Sequence, residues 1–476
     1  MMTDPVLRLL LPDQLDAAGL TVTNPANAGV VSIVRTHDRA ALTDIIERAD
    51  VARRAWAART AKERSGVLRA WFNLIVENGE DLARLMTLES GKPLDEARGE
   101  VRYGAAFIEW FAEEARRAYG EVIPAHAPGK RIVTLRQPVG TCVAITPWNF
   151  PLAMITRKAG PALAAGCSII VKPAEMTPLS ALALEVLAHR AGVPHDLFRV
   201  APAASSPEAG DLFCTHPLVR KISFTGSTRV RKIIMAKAAG QVKRLSLELG
   251  GNAPFIVFDD ADLDRAVEGA VASRFRNAGQ TCVCANRFLV QKGVHDRFVE
   301  KLVARVAALR VGEGLLNPAG MGPLISHAEA RRVAALVQDA EEEGARLANT
   351  PPAVPASGAF HPPVVLTGVT PEMAIVQEEI FGPVAPILAF TDEAEALRIA
   401  NDSPYGLAAY VYTADAARQW RVMEALEYGM VGVNDGLIST EVAPFGGIKE
   451  SGFGREGSHH GLADYMNVKY CLLGGL

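Results

Sequence analysis

The sequence predicts an α/β protein with two doubly wound domains. From Gly140 onward, short apolar runs typical of buried parallel strands alternate with segments of helical periodicity. The same alternation resumes after residue 285. A length of 476 residues also exceeds one ordinary domain, so two or three separate hydrophobic cores are expected.

The individual elements can be assigned in chain order. The first third is predicted to be mostly helical, because RAALTDIIERADVARRAWAA and the segment that begins AKERSG carry apolar residues at 3.6-residue spacing. In the first α/β unit, TCVAIT, CSIIVKP, LFRVAP, KISFTG and APFIVF are predicted strands, and ITRKAGPALAAG and LSALALEVLAHRAG are predicted helices. In the second unit, the predicted strands are NRFLVQKG, HPPVVLTGV, PVAPILAF, LAAYVYT and GMVGVN, with a helix at HDRFVEKLVARVAAL.

Composition and charge argue against several classes of protein. The 50 basic and 53 acidic residues give a formal net charge of −3, which provides no strong field for nucleic acid or an anionic membrane. The N-terminus lacks the pattern of a secretory signal, and no apolar run reaches the roughly 18 residues of a membrane-spanning helix. A soluble cytoplasmic protein is expected.

The cysteines direct attention to one segment. The six cysteines form neither a disulfide framework nor a metal-binding spacing, so no metal site is predicted. Two of them, Cys282 and Cys284, lie in RFRNAGQTCVCANR close to Arg276. Upstream, Glu248 ends an apolar run before two glycines, where a desolvated carboxylate would have a raised pKa and could act as a general base. Alternatively, backbone N–H groups of the glycine turn satisfy this carboxylate.

A cofactor site is predicted at the carboxyl ends of two strands. In KISFTGSTRVRK, Gly226 permits a tight turn and Ser227 caps a helix whose free N–H groups could hold a pyrophosphate. At the end of SIIVK, Lys172 and Glu175 could bind ribose hydroxyls. Many strand–helix turns look like the first motif, and the second could be a surface ion pair. The only G-x-G-x-x-G, GFGREG, follows a glycine-rich loop rather than a strand and is not interpreted as a phosphate site.

A set of motifs identifies the family that this sequence resembles. In order they are PWNFP (147–151), FTGS (224–227), LELGGN (247–252), GQTC (279–282), EEIFGPV (378–384) and PFGGIKESGFGRE (444–456). They span nearly the whole chain and resemble the motifs of the NAD(P)-dependent aldehyde dehydrogenases. The resemblance implies a Rossmann-like NAD-binding domain at 1–119 and 139–249 and a catalytic domain at 250–450. It also implies an oligomerisation element and tail at 120–138 and 451–476, and hence a homodimer or homotetramer.

The resemblance also assigns roles to individual residues. Cys282 would attack the aldehyde carbonyl, the Asn149 side chain and the Cys282 N–H would hold the oxyanion, and Glu248 would deprotonate the water that hydrolyses the thioester. Glu456 matches an acid near the water path. The implied cofactor-binding residues are Trp148, Lys172, Glu175, Gly226, Ser227, Glu379 and Phe381.

The segment around Cys282 is most similar to that of the succinate semialdehyde dehydrogenases. In that group the positions that match Arg157, Arg276 and Ser439 bind the distal carboxylate of the substrate. Two unpaired buried guanidiniums would be costly without an anionic ligand. Each arginine alone could instead form a structural ion pair. Dehydrogenases of glutarate semialdehyde or another ω-carboxylated aldehyde remain alternatives, since a methylene changes binding by only about 1–3 kcal/mol.

Cofactor choice is expected to favour NAD over NADP. A carboxylate at Glu175 accepts a hydrogen bond from the ribose 2′-hydroxyl but repels a 2′-phosphate. Against this, Arg231 replaces a glycine that is frequent in relatives, and its side chain could reach the phosphate region. Lys172 could also accommodate a phosphate.

Cys284 suggests a redox switch on the nucleophile, as in some succinate semialdehyde dehydrogenases. In an extended segment, residues two apart point the same way with Cα atoms about 6.6 Å apart, so a bridge to Cys282 would be strained and easily reduced. Alternatively, Cys284 is a small buried residue.

Two different classes of protein compete with a dehydrogenase. A thiol amidohydrolase could use a cysteine, a glutamate and a lysine, but it has no use for the predicted cofactor residues as a set. A catalytically silent homologue would usually have lost the nucleophile, whereas Cys282, Glu248 and Asn149 are all present.

Overall fold

The computed structural model describes residues 8–315 and 320–475. Helices α1 to α15 span Arg39–Ala58, Ala61–Glu77, Gly79–Ser90, Leu94–Glu114, Ala153–Ala165, Leu179–Arg190, Ser206–Thr215, Thr228–Ala239, Leu263–Arg274, His295–Ala307, His327–Glu342, Ala374–Gln377, Glu393–Asn401, Ala416–Ala425 and Ser458–Ala463. Short 3-10 helices lie at Pro12–Gln14, Ala115–Arg117, Arg276–Gly279 and Lys449–Ser451. Strands β1 to β18 span Leu15–Thr23, Val30–Val34, Val122–Ile123, Lys130–Pro138, Thr141–Ile145, Ser168–Lys172, Phe198–Val200, Val219–Gly226, Arg244–Leu249, Ala253–Val257, Ala285–Gln291, Arg346–Leu347, Val364–Thr367, Val384–Phe390, Ala408–Tyr412, Met430–Val433, Gly452–Phe453 and Met466–Gly474.

The first large sheet has the order β17-β9-β8-β5-β6-β7 and is parallel except for β17. Its strands are apolar on both faces: on β6, Ile169 and Val171 pack into one hydrophobic cluster and Ile170 into another. Helices therefore cover both faces, as a parallel sheet requires. This arrangement confirms the predicted doubly wound α/β plan and four of the strands predicted for the first unit, whereas APFIVF forms β10, which belongs to the other large sheet.

The second large sheet has the order β12-β13-β14-β11-β10-β15-β16, with only β12 antiparallel among its described strands. It carries its own hydrophobic core, which contains Phe255, Phe288, Val365, Leu388 and Val411. The five strands predicted after residue 285 are all present, at β11, β13, β14, β15 and β16. The prediction of two α/β units is thus confirmed.

A small antiparallel sheet, β18-β4-β3, stands apart from the two large ones. It pairs β4, from the segment 120–138, with the C-terminal strand β18 over nine registered positions, from Met466 with Pro138 to Gly474 with Lys130. Apolar side chains of this sheet are exposed, among them Val122, Val468 and Tyr470.

Two features of the chain differ from the simple sequence plan. A two-stranded antiparallel sheet, β1-β2, precedes the helices of the first third. The sequence predicts that Gly452–Phe453 belongs to the C-terminal tail. In the structure it forms β17, which pairs with β9 of the first large sheet and has Gly452 opposite Glu248. Parts of the predicted domains, namely 1–7, 316–319 and 476, lie outside the described residues.

No helix in the described ranges is long and apolar enough to cross a membrane. Within the same ranges, no group of three or more His, Cys, Asp and Glu side chains is placed to hold a metal ion.

Candidate active site

A cavity of about 310 Å³ lies between the two large sheets. Its walls come from the loop after β5, the ends of β8 and β9, the turn before β11, helix α11 and the loop before β14. The predicted site residues that line it are Trp148, Asn149, Gly226, Ser227, Cys282, Glu379 and Phe381. Residues from six separate stretches of the chain therefore meet at the carboxyl ends of the parallel strands, where open α/β sheets bind ligands.

Cys282 lies in a tight turn at the floor of this cavity. The turn runs from Thr281 to Cys284 and is closed by the Cys284 N–H, which donates to the Thr281 carbonyl at 3.0 Å. The thiol is partly exposed, and burial raises its pKa to about 12, although the charge of Arg157 acts in the opposite direction. The thiol is therefore protonated at neutral pH and needs a base to become a nucleophile.

Asn149 is fixed by its own backbone and side chain. Its carbonyl accepts hydrogen bonds from Lys92 Nζ at 2.8 Å and from Asn277 Nδ2 at 3.0 Å. Its Nδ2 donates to the carbonyl of Gln280 at 2.9 Å. An amide nitrogen carries two hydrogens, so one N–H remains to donate to an oxyanion formed next to Cys282.

Glu248 is buried at the end of β9. Neither of its carboxylate oxygens has a hydrogen-bond partner among the described residues. Burial, together with the nearby carboxylate of Glu456, raises the pKa of Glu248 well above its ordinary value. The alternative that the glycine turn satisfies Glu248 is wrong, because the Gly251 N–H donates to Glu379 Oε1 at 3.1 Å. A Cβ at Gly446 would lie 2.9 Å from Glu248 Oε1, so this glycine leaves room for the carboxylate.

Arg157 lies behind the cavity wall in a buried cluster of charges. Its Nε donates to Glu456 Oε2, and Lys158 Nζ donates to Glu456 Oε1. The guanidinium lies 4.2 Å from the ring centre of Phe445, and its Nη2 is buried without a partner in the part of the chain that the structure describes. For Arg157 the structure therefore supports the alternative of a structural ion pair. Arg157 lies on helix α5 and Glu456 in the turn after β17, 299 residues further along the chain, so tertiary packing brings the two side chains together.

Arg276 and Ser439 approach from two other loops. Arg276 starts the 3-10 helix that precedes Cys282, and its guanidinium lies 5.6 Å from the ring centre of Phe150. Arg276 Nε is buried, and the residues described offer it no hydrogen bond. Ser439 is half-buried in the loop between β16 and β17. None of the three predicted carboxylate-binding residues lines the cavity that contains Cys282.

Glu379 and Phe381 form the wall of the cavity opposite the first sheet. Burial raises the pKa of Glu379 to about 7, and a Cβ at Gly250 would lie only 2.2 Å from Glu379 Oε2. Phe381 packs edge to face on Trp148, with ring centres 5.5 Å apart. Phe381 has a φ of 50°, a left-handed backbone that is costly for an aromatic residue. The loop is therefore held in a specific shape against the cavity.

The start of helix α8 faces the same cavity. Ser227 caps the helix and accepts a hydrogen bond from the Val230 N–H at 3.4 Å, while Gly226 and Ser227 both line the cavity. The expectation that Arg231 reaches the phosphate region is not met. Arg231 is buried, and its Nη1 donates to the carbonyl of Glu450 at 3.1 Å.

Lys172 and Glu175 lie outside the cavity but close to its rim. Lys172 ends β6 beside Ile145 of β5, two residues before the cavity-lining Pro147. Lys172 Nζ donates to Glu175 Oε1 at 2.7 Å, and Ser206 Oγ donates to the same oxygen. The two residues thus form an ion pair, with Lys172 buried and Glu175 half-exposed.

Cys284 is a buried free thiol. Its Sγ donates to the carbonyl of Arg274 at 3.9 Å, and burial raises its pKa. The assumption that Cys282 and Cys284 lie in an extended segment is wrong, because the hydrogen bond from Cys284 to Thr281 folds this segment into a turn.

Sequence reasoning missed three residues near the site. Glu329 and Arg332 of α11 line the cavity as an ion pair at 2.9 Å, and Arg332 Nη2 also donates to the Ile380 carbonyl at 2.6 Å. In sequence this pair looks like an ordinary i,i+3 surface pair. Glu96 of α4 accepts a hydrogen bond from the Asn277 N–H at 2.8 Å, which no local pattern indicates.

The geometry of this site is accompanied by close similarity to known enzymes. Residues 13–471 match the aldehyde dehydrogenase family. The chain is 55% identical over 451 residues to a glutarate-semialdehyde dehydrogenase of Pseudomonas putida, covering 95% of this chain and 93% of the relative. It is 54% identical over 462 residues to a succinate-semialdehyde dehydrogenase [NADP(+)] of Escherichia coli, covering 97% and 96%. A 3-sulfolactaldehyde dehydrogenase of P. putida is 52% identical over 455 residues, covering 96% and 93%.

Solved structures show the same fold. A succinate-semialdehyde dehydrogenase from Burkholderia pseudomallei has a TM-score of 0.96 and 52% identity, with 99% of each chain covered. An E. coli NADP-dependent enzyme has a TM-score of 0.97 at 52% identity, with both chains fully covered. On these similarities, this chain belongs to the aldehyde dehydrogenase family.

Proposed function

We propose that the chain oxidises aldehydes with a distal carboxylate, with succinate semialdehyde as the preferred substrate and NAD as the preferred cofactor. The observation that carries the proposal is Arg276, at the start of the turn before Cys282, whose buried Nε has no partner within the described ranges. Arg157 is paired with Glu456 but also has one such nitrogen, Nη2. Such nitrogens favour an anionic ligand. The relatives named above act on aldehydes with a carboxylate or sulfonate, which supports the same ligand chemistry.

The proposed chemistry begins at Cys282. Glu248, whose charge acts on Cys282 and whose pKa is raised by burial and by Glu456, takes the thiol proton in its ionised form. The thiolate attacks the aldehyde carbon, and the oxyanion accepts hydrogen bonds from Asn149 Nδ2 and the Cys282 N–H. A bound nicotinamide would supply the acceptor for the hydride that leaves the substrate carbon. Glu248 passes this first proton to solvent and then takes a proton from the water that attacks the thioester. The acid leaves, and the departing Cys282 thiolate takes up a proton, which restores the free thiol.

The residues present fit a nicotinamide dinucleotide. The N-terminus of α8 at Gly226 and Ser227 offers backbone N–H groups to a pyrophosphate. Glu379 offers a carboxylate to ribose hydroxyls, and Phe381 and Trp148 offer apolar surface to the nicotinamide. We assign Lys172 and Glu175 to the adenosine ribose, where they lie at the carboxyl end of β6.

The proposed preference for NAD rests on Glu175. Two donors, Lys172 Nζ and Ser206 Oγ, hold its Oε1, and the pKa of Glu175 is lowered by Lys172 against the effect of burial. The carboxylate therefore stays ionised and repels a 2′-phosphate. Because a relative is named for NADP(+), the preference needs a direct measurement.

The test is a comparison of rates of nicotinamide reduction with succinate semialdehyde, glutarate semialdehyde and uncharged butyraldehyde, each with NAD and NADP. We expect both carboxylated aldehydes to be preferred by about 10²-fold in kcat/KM, as loss of a buried ionic contact predicts. Equal turnover of butyraldehyde would contradict the arginine assignment. Equal rates with NADP would contradict the Glu175 assignment alone.

Glutarate semialdehyde is the second candidate substrate. The 55% identical relative from P. putida is named for it. One additional methylene changes transition-state binding by about 1–3 kcal/mol, so the two semialdehydes are expected to differ by much less than either differs from butyraldehyde.

We propose that the β18-β4-β3 sheet is the oligomerisation element and that residues 1–119 with 139–249 and 250–450 are the NAD-binding and catalytic domains. Exposed apolar side chains on β3 and β18 support the first assignment. Replacement of Val468 by Asp should lower the mass measured by light scattering, and an unchanged mass would contradict it.

We also retain the redox hypothesis for Cys284. Peroxide would oxidise the Cys282 and Cys284 thiols to a disulfide and be reduced to two waters, and a dithiol would reverse the loss of activity. Cys284→Ala should make peroxide inactivation irreversible. If inactivation stays equally reversible, Cys284 is simply a buried thiol.

A further inference from the structure

The turn that carries Arg276 has an unusual backbone. In the 3-10 segment Arg276–Gly279, Asn277 has a φ of 51° and Ala278 a φ of 53°. Both are left-handed conformations that side chains other than glycine adopt at a cost in free energy. Such a turn keeps its shape only where surrounding groups hold it.

The 276–279 turn is held by hydrogen bonds within the segment and by hydrogen bonds to residues outside it. Asn277 Nδ2 donates to the Asn149 carbonyl at 3.0 Å and to the Gln280 carbonyl at 3.2 Å, and Gln280 Nε2 donates to the Asn277 carbonyl at 2.9 Å. These contacts are amide-to-amide. The hydrogen bond of the Asn277 backbone N–H differs in kind, because it goes to the carboxylate of Glu96 at 2.8 Å.

Glu96 lies in the first turn of helix α4, 181 residues earlier in the chain than Asn277. Burial raises the pKa of Glu96 to about 7, while its hydrogen bond to Asn277 and the charges of Lys92 and Arg276 favour the ionised form. A carboxylate that accepts a backbone N–H makes a stronger bond than a neutral acceptor. Glu96 therefore anchors the residue next to Arg276 to a helix of the other α/β unit.

We propose that Glu96 is a positioning residue for substrate recognition: its carboxylate holds the 276–279 turn so that Arg276 meets the distal carboxylate of the aldehyde. The inference rests on the proposed role of Arg276 in substrate binding. Glu96 touches the backbone of the turn and is assigned no contact with the substrate.

Two other roles for Glu96 make different predictions. If its charge competes with the substrate for Arg276, a neutral Gln at this position would improve binding of anionic aldehydes. If Glu96 only supports the fold around Asn149 and Cys282, its loss would affect charged and uncharged aldehydes alike. The positioning role instead requires a hydrogen-bond acceptor, which Gln retains and Ala lacks.

The experiment compares Glu96→Ala and Glu96→Gln with the unaltered enzyme, using succinate semialdehyde and butyraldehyde at saturating NAD. We expect Glu96→Ala to raise the KM for succinate semialdehyde about tenfold, as loss of one charge-assisted hydrogen bond predicts. Glu96→Gln should restore the KM to within about threefold, since it replaces a charged acceptor by a neutral one. The kcat with succinate semialdehyde and the kcat/KM with butyraldehyde should change by less than about twofold, as expected for a residue that acts only through Arg276.

Controls separate this inference from the proposed function. Arg276→Met in the same assay tests the clamp itself, and an unchanged preference for succinate semialdehyde in that variant would remove the proposed role of Arg276. If Arg276→Met loses the preference but Glu96→Ala keeps it, only the inference about Glu96 fails. Glu185→Gln is the matched control, because Glu185 is also a buried carboxylate with a pKa raised to about 7 but lies beside Arg199, away from the cavity.

Other outcomes also count against the positioning role. A lower KM for succinate semialdehyde in Glu96→Gln would assign Glu96 to charge competition. An equal loss with butyraldehyde in Glu96→Ala would assign it to general support of the fold. Thermal unfolding of each variant shows that it is folded at the assay temperature.

Discussion

Glu248 and Glu456 are two buried carboxylates near the Cys282 turn, and their environments are opposite. Glu248 is 2% exposed and Glu456 5%, so depth does not distinguish them. Glu456 accepts hydrogen bonds from Arg157 and Lys158, and these cations hold its pKa below the ordinary value although burial alone would raise it. Glu248 has no partner among the residues described, and its pKa is raised.

The difference shows how one site holds both a fixed anion and a proton acceptor. The partners of a carboxylate, rather than its burial, decide whether it stays ionised. Glu456 in turn acts on Glu248, because its charge is the second largest cause of the raised pKa after burial. This contrast is consistent with the proposed mechanism, in which Glu248 transfers protons and Glu456 stays ionised.

The largest expected effect comes from removing the proton acceptor. Glu248→Gln should lower steady-state turnover by about 10²–10⁴-fold, the usual contribution of a general base. Rapid-mixing measurements of nicotinamide reduction test this. A variant with unchanged turnover would show that Glu248 is not the base, and Glu185→Gln serves as the control for loss of a buried carboxylate.

The next effect is on stability. Glu456→Gln leaves Arg157 and Lys158 without their shared anion, and breaking a buried pair in this way costs about 3–5 kcal/mol. Denaturant unfolding should therefore show a clear loss. Glu268→Gln removes an exposed pair with Arg305 and should cost less than about 1 kcal/mol. Similar losses in both variants would contradict the view that the buried cluster is special.

The sequence predicts more of the fold than of the different environments of Glu248 and Glu456. Continuous apolar runs such as TCVAI and SIIVK were sufficient to predict β5 and β6, because a strand covered on both faces needs apolar residues at every position. The β1-β2 pair was not predicted, since its first strand LDAAGLTVT has mixed exposure and no clear alternation.

The site residues fall into two groups for the same reason. Cys282, Asn149 and Glu248 lie in short motifs that are recognised from the residues adjacent to them in the sequence. The Arg157–Glu456 pair and the Glu96–Asn277 hydrogen bond join positions 299 and 181 residues apart, so only tertiary packing reveals them. The sequence alone consequently leaves open whether Arg157 is paired, and it gives no indication of a role for Glu96.

A third effect concerns how the stability of the folded protein depends on pH through Glu248. The pKa of Glu248 in the folded protein lies above its pKa in the unfolded chain. The contribution of Glu248 to the stability of the folded protein is therefore fully present below the unfolded pKa and is lost as pH rises through the folded pKa. Gln does not titrate, and Glu248→Gln should therefore be more stable than the unaltered protein by about 2 kcal/mol at alkaline pH, where the unaltered protein must bury an unpaired charge and the variant only a neutral amide.

Denaturant unfolding at several pH values between about 5 and 9 would show the gain, which should grow with pH and then level off. A constant gain across this range would indicate a packing effect rather than titration of Glu248. A loss of stability would contradict the unpartnered environment seen in the structure.

The smallest effect is a shift in a pH profile. The charge of Glu456 raises the pKa of Glu248, so Glu456→Gln should lower that pKa and move the acidic limb of kcat to lower pH. Arg157 and Lys158, freed from their anion, act in the same direction because both cations favour the ionised form of Glu248. The measurement is kcat against pH with saturating aldehyde, below the unfolding temperature of the variant. A limb that stays in place or moves to higher pH would show that Glu456 does not set the proton affinity of Glu248, and the contrast between the two carboxylates would then reflect only their own partners.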